Sequence, residues 1–177
     1  MRALGRGSVS SFLKVILDVF RVVLWVAVGG VSVAIVAVLL LSFKPELLGE
    51  PIYLDRVRVE GPWLGPTAAA VLLAADLYLA GAILVVGRLR QIFQTLIAGD
   101  PFEPQNAQRL QVIGGALAAL ELGRYAAAAL AHLVFHGRLR VDGSLSLTAW
   151  FAVLVILVLA EVFREGARLR GEAELTI

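Results

Sequence analysis

The sequence predicts an all-α integral membrane protein. The expected fold is a four-transmembrane-helix antiparallel bundle with N and C termini cytoplasmic and a small two-stranded β cap on the outer side. Three observations predict it. The 177 residues are 59% hydrophobic with a mean hydropathy of +0.85, above the roughly 45–50% apolar content of soluble domains. The excess is gathered into four runs, residues 22–43, 66–86, 112–134 and 145–163, each about as long as a bilayer-crossing helix needs to be. Lys and Arg are uneven between the connecting segments, and that bias sets orientation. Arg2, Arg6, Lys14, Arg21, Arg88, Arg90, Arg109, Arg164, Arg168 and Arg170 lie on one side. Lys44, Arg56, Arg58, Arg138 and Arg140 lie on the other. The richer side is the cytoplasmic one. The whole chain, 1–177, reads as a single membrane domain.

Taken in order, residues 8–21 place Phe12, Ile16, Val19 and Phe20 on one helical face, with Lys14, Asp18 and Arg21 largely off it. An interfacial helix and a plain extension of the first span both fit that spacing. The first span is too long for the apolar core of a signal peptide and no small-residue cleavage pattern follows it, so it reads as uncleaved. Trp25, a few residues inside the cytoplasmic end, suits an interface anchor or a packed position equally.

In the first outer loop, the alternation around Val57, Arg58 and Val59 suggests a short strand. The second outer loop alternates Arg138, Leu139, Arg140 and Val141. Lone strands leave backbone groups unpaired, so the two pieces are expected to pair as the cap; the alternative is two irregular loops. The second span continues as a cytoplasmic helical extension over 87–98, with Leu89, Ile92, Phe93, Leu96 and Ile97 at helical spacing. Gly99 reads as its stop and Asp100-Pro101 as a turn. Pro104 restarts a helix over 104–111, capped by Asp100 or Glu103, which runs into the third span. The fourth span continues into the tail 164–177, with acid-before-base pairs at Glu161–Arg164 and Glu165–Arg168.

The third span organises the rest. It carries Glu121, Arg124 and His132, where a lipid-facing charge costs at least about 2.5–3.5 kcal/mol. These residues must face protein or water. Gly115, Ala119, Gly123, Ala127 and Ala131 recur every four residues, a ridge that permits close helix contact. Asp76 of the second span lies ten residues from Pro66, and Arg124 lies ten from Val134, so both sit about 15 Å from the outer ends of antiparallel helices. An intramembrane Asp76–Arg124–Glu121 cluster is therefore expected, with Tyr125 and His132 as accessory members. It serves either as a ligand or gating site or as a structural clamp that sets helix register.

Several chemistries find no support. There is no Cys, so thiolate metal sites and cysteine nucleophiles are excluded. His132 and His136 are four residues apart but no third ligand is evident, and the reading assigns no metal. No phosphate-binding glycine loop, zinc-protease motif or nucleophile elbow occurs, and no cofactor or catalytic residue is assigned. A net charge of +2 does not argue for direct nucleic-acid binding.

GDPFEPQNAQRLQVIG before the third span and LAEVFREGARLRGEAELTI after the fourth resemble signatures of the bacterial DUF-2975 membrane protein family. The resemblance is carried by Pro101, Phe102, Asn106, Arg109, Leu110, Gly114, Phe163, Gly166, Leu169, Glu174, Leu175, Thr176 and Ile177. It implies a four-helix, multi-pass protein of the bacterial inner membrane, often encoded beside a helix-turn-helix regulator. The expectation is then a non-enzymatic sensory or regulatory partner of such a regulator. Phe102, Asn106, Arg109, Glu174, Leu175, Thr176 and Ile177 would form the cytoplasmic partner surface. Two alternatives stay open: a small homo-oligomeric transporter or channel using the Asp/Arg/Glu cluster, and a purely structural membrane protein.

Overall fold

A computed structural model describes residues 9–43, 52–54, 57–59, 64–134 and 143–174. The order is α1 (Val9–Leu41), β1 (Ile52–Leu54), β2 (Val57–Val59), α2 (Leu64–Ile97), α3 (Pro104–Val134) and α4 (Leu147–Glu174). All four helices are long and apolar enough to cross a membrane, α3 being the least apolar. Their outer surfaces carry Val26, Val33, Leu77, Leu133 and Phe151 in exposed positions. The one polar side chain that is buried among the described residues is Asn106. Apolar outside with a polar residue inside is the arrangement that lipid, and not water, solvates well.

The amphipathic start of the chain does not break from the first span. α1 is one 33-residue helix, about 50 Å long, so the extension reading fits and a separate interfacial helix does not. Trp25 is exposed on its surface, as an interface anchor would be. Ser42 ends α1 by donating its amide and hydroxyl to the Val38 carbonyl, at 2.9 and 2.7 Å. The first outer loop holds a strand pair of its own. β2 pairs antiparallel with β1 of its own loop, in the register Ile52↔Val59, Tyr53↔Arg58, Leu54↔Val57. Closing so short a connection has a much smaller entropy cost than bringing two distant loops together. The strand expected over 138–141 lies outside the described residues.

α2 runs without interruption to Ile97, through all but the last residue of the 87–98 stretch. Its first four amides need no helical partner, which accommodates Pro66 in the opening turn. Gly99, at φ 86°, ends it in a Schellman motif. The Gly99 amide donates to Leu96 at 3.1 Å and the Asp100 amide to Thr95 at 3.0 Å. α3 begins at Pro104, where a missing amide costs nothing. Neither expected side-chain cap is present: Asp100 instead pairs with Arg170, and Glu103 lies 4.0 Å from Arg109. Ser146 caps α4, its hydroxyl accepting from the Ala149 amide at 3.3 Å.

The chain divides into two compact units, and α1, α2 and α3 each contribute to both. One comprises Met1–Leu24, Gly81–Ala119 and Ser146–Ile177. Its core is Leu24, Val86, Ile92, Ala107, Ile113, Val153 and Ala160. Here α3 meets α4 at Gly114, where an added Cβ would lie 3.0 Å from Leu157 Cδ2. Asp18 of α1 and Arg90 of α2 form an ion pair at 2.5 Å.

The other unit comprises Trp25–Ala80 and Leu120–Leu145. α1 and α2 run antiparallel there, with Ser42 against Gly65 and Ser32 bonded to Asp76. A Cβ at Gly65 would sit 1.8 Å from Ser42 Oγ and 2.7 Å from its Cβ. Gly65→Ala is therefore expected to cost about 1–2 kcal/mol through overpacking. Thermal unfolding in detergent measures this, and Ser42→Gly in the same chain should restore most of the loss.

The small-residue ridge on α3 meets no other helix of this chain at its glycines. A Cβ at Gly115 or Gly123 would meet nothing within 4 Å, and Ala119 and Ala127 are exposed. Each four-residue step turns about 40° around the axis, so the row slants around the helix. The buried face is carried by Ala107, Ile113, Gly114 and Ala128.

Candidate functional site

Two polar centres emerge, one in each unit. In the second unit Glu121, Arg124 and Tyr125 come together on α3. Arg124 grips the Glu121 carboxylate with both arms, Nη2 donating to Oε1 at 2.6 Å and Nε to Oε2 at 3.2 Å. Tyr125 Oη donates to the same Oε1 at 2.6 Å. Arg124 Cζ lies 4.9 Å from the centre of the Tyr125 ring, within cation–π range. Arg124 Nη2 also donates to the Ser144 carbonyl at 2.7 Å. Ser144 stands three residues before α4, and no feature of its own sequence marked it out. The side chains of Arg124 and Glu121 are 34% and 12% exposed.

Asp76 does not join this cluster. Its Oδ2 accepts from Ser32 Oγ of α1 at 3.1 Å. Its Oδ1 is buried and accepts no hydrogen bond. Matched depth placed Asp76 and Arg124 at one height, but height leaves direction around the helix axis undetermined. Arg124 finds a carboxylate one turn away on its own helix, where pairing needs no interhelical approach. Ser32, a small residue of the first span, carries no signal in its neighbouring sequence for this bond. His132 is exposed, and no group of three potential metal ligands occurs among the described residues. His136 lies outside them.

The independence of the two polar groups is testable. In a cycle of Asp76→Asn and Arg124→Gln, the stability effects should add to within about 0.5 kcal/mol. The cycle of Glu121→Gln with Arg124→Gln should show clear coupling. A coupling above about 1 kcal/mol between Asp76 and Arg124 would mean that they pair after all.

The first unit holds the α2–α3 junction. Asn106, with 0% exposure, sits at its centre. Its Nδ2 donates to Thr95 Oγ1 at 2.7 Å and to the Pro101 carbonyl at 3.1 Å. Its Oδ1 accepts from Arg109 Nη1 at 2.7 Å. Thr95 passes the chain on to the Ile92 carbonyl at 2.8 Å. Arg109 also reaches Gln105 at 2.8 Å. The end of α2, the turn and the start of α3 are thus tied through one amide side chain.

Phe102 ties the same turn to α4. Its ring lies 5.9 Å from that of Phe163, and a Cβ at Gly166 would come within 2.7 Å of it. Asp100 pairs with Arg170 beside them. Phe102 remains 42% exposed. A partner surface built on Asn106 is not open in this structure, because that side chain has no exposed area. Arg109 is largely engaged. Glu174 ends α4, and Leu175, Thr176 and Ile177 lie outside the described residues.

These features define a class: a protein with four helices long and apolar enough to cross a membrane and an interhelical turn clipped to the last helix. The chain belongs to the family described as protein of unknown function (DUF2975), whose sequence profile matches residues 54–177. Residues that carry the resemblance (Pro101, Phe102, Asn106, Arg109, Gly114, Phe163 and Gly166) make up the α2–α3–α4 junction. No curated protein and no solved structure matches the chain.

Proposed function

We propose that the protein is a non-catalytic, multi-pass protein of the bacterial inner membrane that regulates a cytoplasmic partner, with both termini and the α2–α3 turn on the cytoplasmic side. The observation that carries this reading is the junction of Phe102 with Phe163 and Gly166, reinforced by Asn106. It couples the turn to α4, and each of the three helices meeting there is long and apolar enough to cross the membrane. A displacement of any one within the bilayer would be passed to the turn without an intervening loop. The Lys and Arg bias supports the orientation. The family resemblance suggests a helix-turn-helix regulator as partner, so DNA would be contacted by the regulator and not by this chain.

The test is co-purification from native membranes with a helix-turn-helix regulator encoded beside the gene. Co-elution that is lost on Phe102→Glu, or on removal of residues 171–177, is expected. Failure of the intact chain to retain the regulator would overturn the reading.

A second reading has one observation in its favour, the unpartnered Oδ1 of Asp76. An ionisable residue within a membrane span is a common mark of ion pathways in membrane proteins. Four helices enclose little space, so a transporter or channel would be a homo-oligomer. Ion flux in proteoliposomes that Asp76→Asn abolishes would establish it; absence of flux would remove it. If neither partner nor flux is found, the purely structural reading remains.

A further inference from the structure

We infer that Arg21 and Arg88 each hold the phosphate of an anionic phospholipid, so that the α1–α2 pair selects lipid by charge in the cytoplasmic leaflet. The inference rests on reading α1 and α2 as membrane spans with their arginine-rich ends cytoplasmic, and is independent of any regulator. On each helix the residue concerned is the charge that borders the apolar run. Arg21 stands immediately before residues 22–41 of α1, which carry no charge, and residues 77–87 of α2, also uncharged, end at Arg88. The Asp18–Arg90 ion pair, at 2.5 Å, fixes the height of one helix against the other. Arg21 lies about 4.5 Å along α1 from Asp18 towards the apolar run, and Arg88 about 3 Å along α2 from Arg90 towards its own. The two positions are therefore level to within about 1.5 Å, at the edge of the hydrocarbon where lipid phosphates lie.

The neighbouring cation, Arg90, is already neutralised by Asp18. Arg21 makes no hydrogen bond or ion pair among the described residues, and Arg88 bonds only to the neutral amide of Gln91, Nη1 donating to Oε1 at 3.1 Å. Both arginines are half-buried. A guanidinium partly shielded from water and without a counter-ion is unfavourable, and its planar donors match the oxygens of a phosphate. Phe20, Val22 and Val23, beside Arg21 on α1, are exposed, so the flank of that site is one that acyl chains solvate. A zwitterionic lipid carries its own ammonium to the phosphate, whereas an anionic lipid leaves its charge for the arginine. Charge and apolar flank together fit an anionic phospholipid of the cytoplasmic leaflet.

The test is native mass spectrometry of the full chain, released from a neutral detergent that contains equal amounts of phosphatidylglycerol and phosphatidylcholine with identical acyl chains. An arginine near the membrane surface strengthens attraction to anionic lipid about fivefold, so two should give the intact chain a preference for phosphatidylglycerol of at least about tenfold. Arg21→Gln and Arg88→Gln should each lower that preference about fivefold. Arg21→Lys and Arg88→Lys, which keep the charge, should retain most of it. Arg164→Gln is the control: Arg164 already pairs with Glu161 at 2.5 Å, so its loss should leave the preference unchanged. Equal retention of the two lipids by the intact chain would overturn the inference. So would a preference that survives both Gln substitutions together, or one that Arg164→Gln lowers as much. Displacement of the lipid by millimolar glycerol phosphate would mark a site for a soluble anion and overturn it too.

Discussion

Asn106→Leu is expected to lower stability by about 3–5 kcal/mol, read as a fall in the melting temperature of the detergent-solubilised protein. The shapes of the two side chains are similar, so the loss is one of hydrogen bonding and not of volume. Asn106 is wholly buried and makes three side-chain bonds. Leucine would leave the Pro101 carbonyl and a guanidinium arm of Arg109 without that partner. Each buried polar group stranded in this way costs about 1–3 kcal/mol, more where one partner is charged. Asn106→Asp is the informative companion. It keeps the acceptor for Arg109 but loses the donor to Thr95 and Pro101, and its cost should be smaller. An Asn106→Leu chain melting like the parent would show that the junction is held by something else.

Gly166→Leu should cost about 2–4 kcal/mol, and most of that should vanish when Phe102 is first replaced by Ala. The space beside Gly166 is occupied by the Phe102 ring, with Cδ1 and Cε1 at 2.7 and 2.8 Å from where a Cβ would stand. A leucine must expel the ring from α4, losing its contact with Phe163, or spread the helices. Overpacking of this kind costs about 1–3 kcal/mol before lost contacts are added. The neighbouring Arg170–Asp100 pair is solvent-exposed on both sides and adds little by itself. The double-mutant cycle separates a steric conflict with Phe102 from a general intolerance of α4, which would leave the cost undiminished. If the proposed regulatory coupling runs through this contact, Gly166→Leu should also weaken regulator binding in chains that still fold.

Local sequence signals were legible because each depends on a few neighbouring residues. Gly99 as a helix stop needed only its tolerance of positive φ, and Pro104 as a start needed only its missing amide. The pairing of Arg124 with Glu121 is set by a spacing of three on one helix. Asp76 shows where such reasoning ends. Counting residues along two helices places two side chains at the same height, but their bearing around each axis depends on how the helices are rotated and packed. The ridge from Gly115 to Ala131 illustrates the same point. Its spacing marks small residues on a helix, while the packed face of α3 within this chain lies at Gly114 and Ala128.

The sequence by itself determined the class of protein: four apolar runs of crossing length, the turn between the second and third, and the family to which the chain belongs. Hydropathy and local backbone preference act over short stretches of chain, so they can be read without a fold. Only the tertiary structure decided that Asn106 is a buried tie and not a surface, that Phe102 lies against Gly166, that Asp76 bonds Ser32, and that Ser144 returns to Arg124. Each of these contacts joins residues whose separation in space depends on helix rotation and on the path of the chain between helices. Packing sets those quantities, and no stretch of neighbouring residues encodes them.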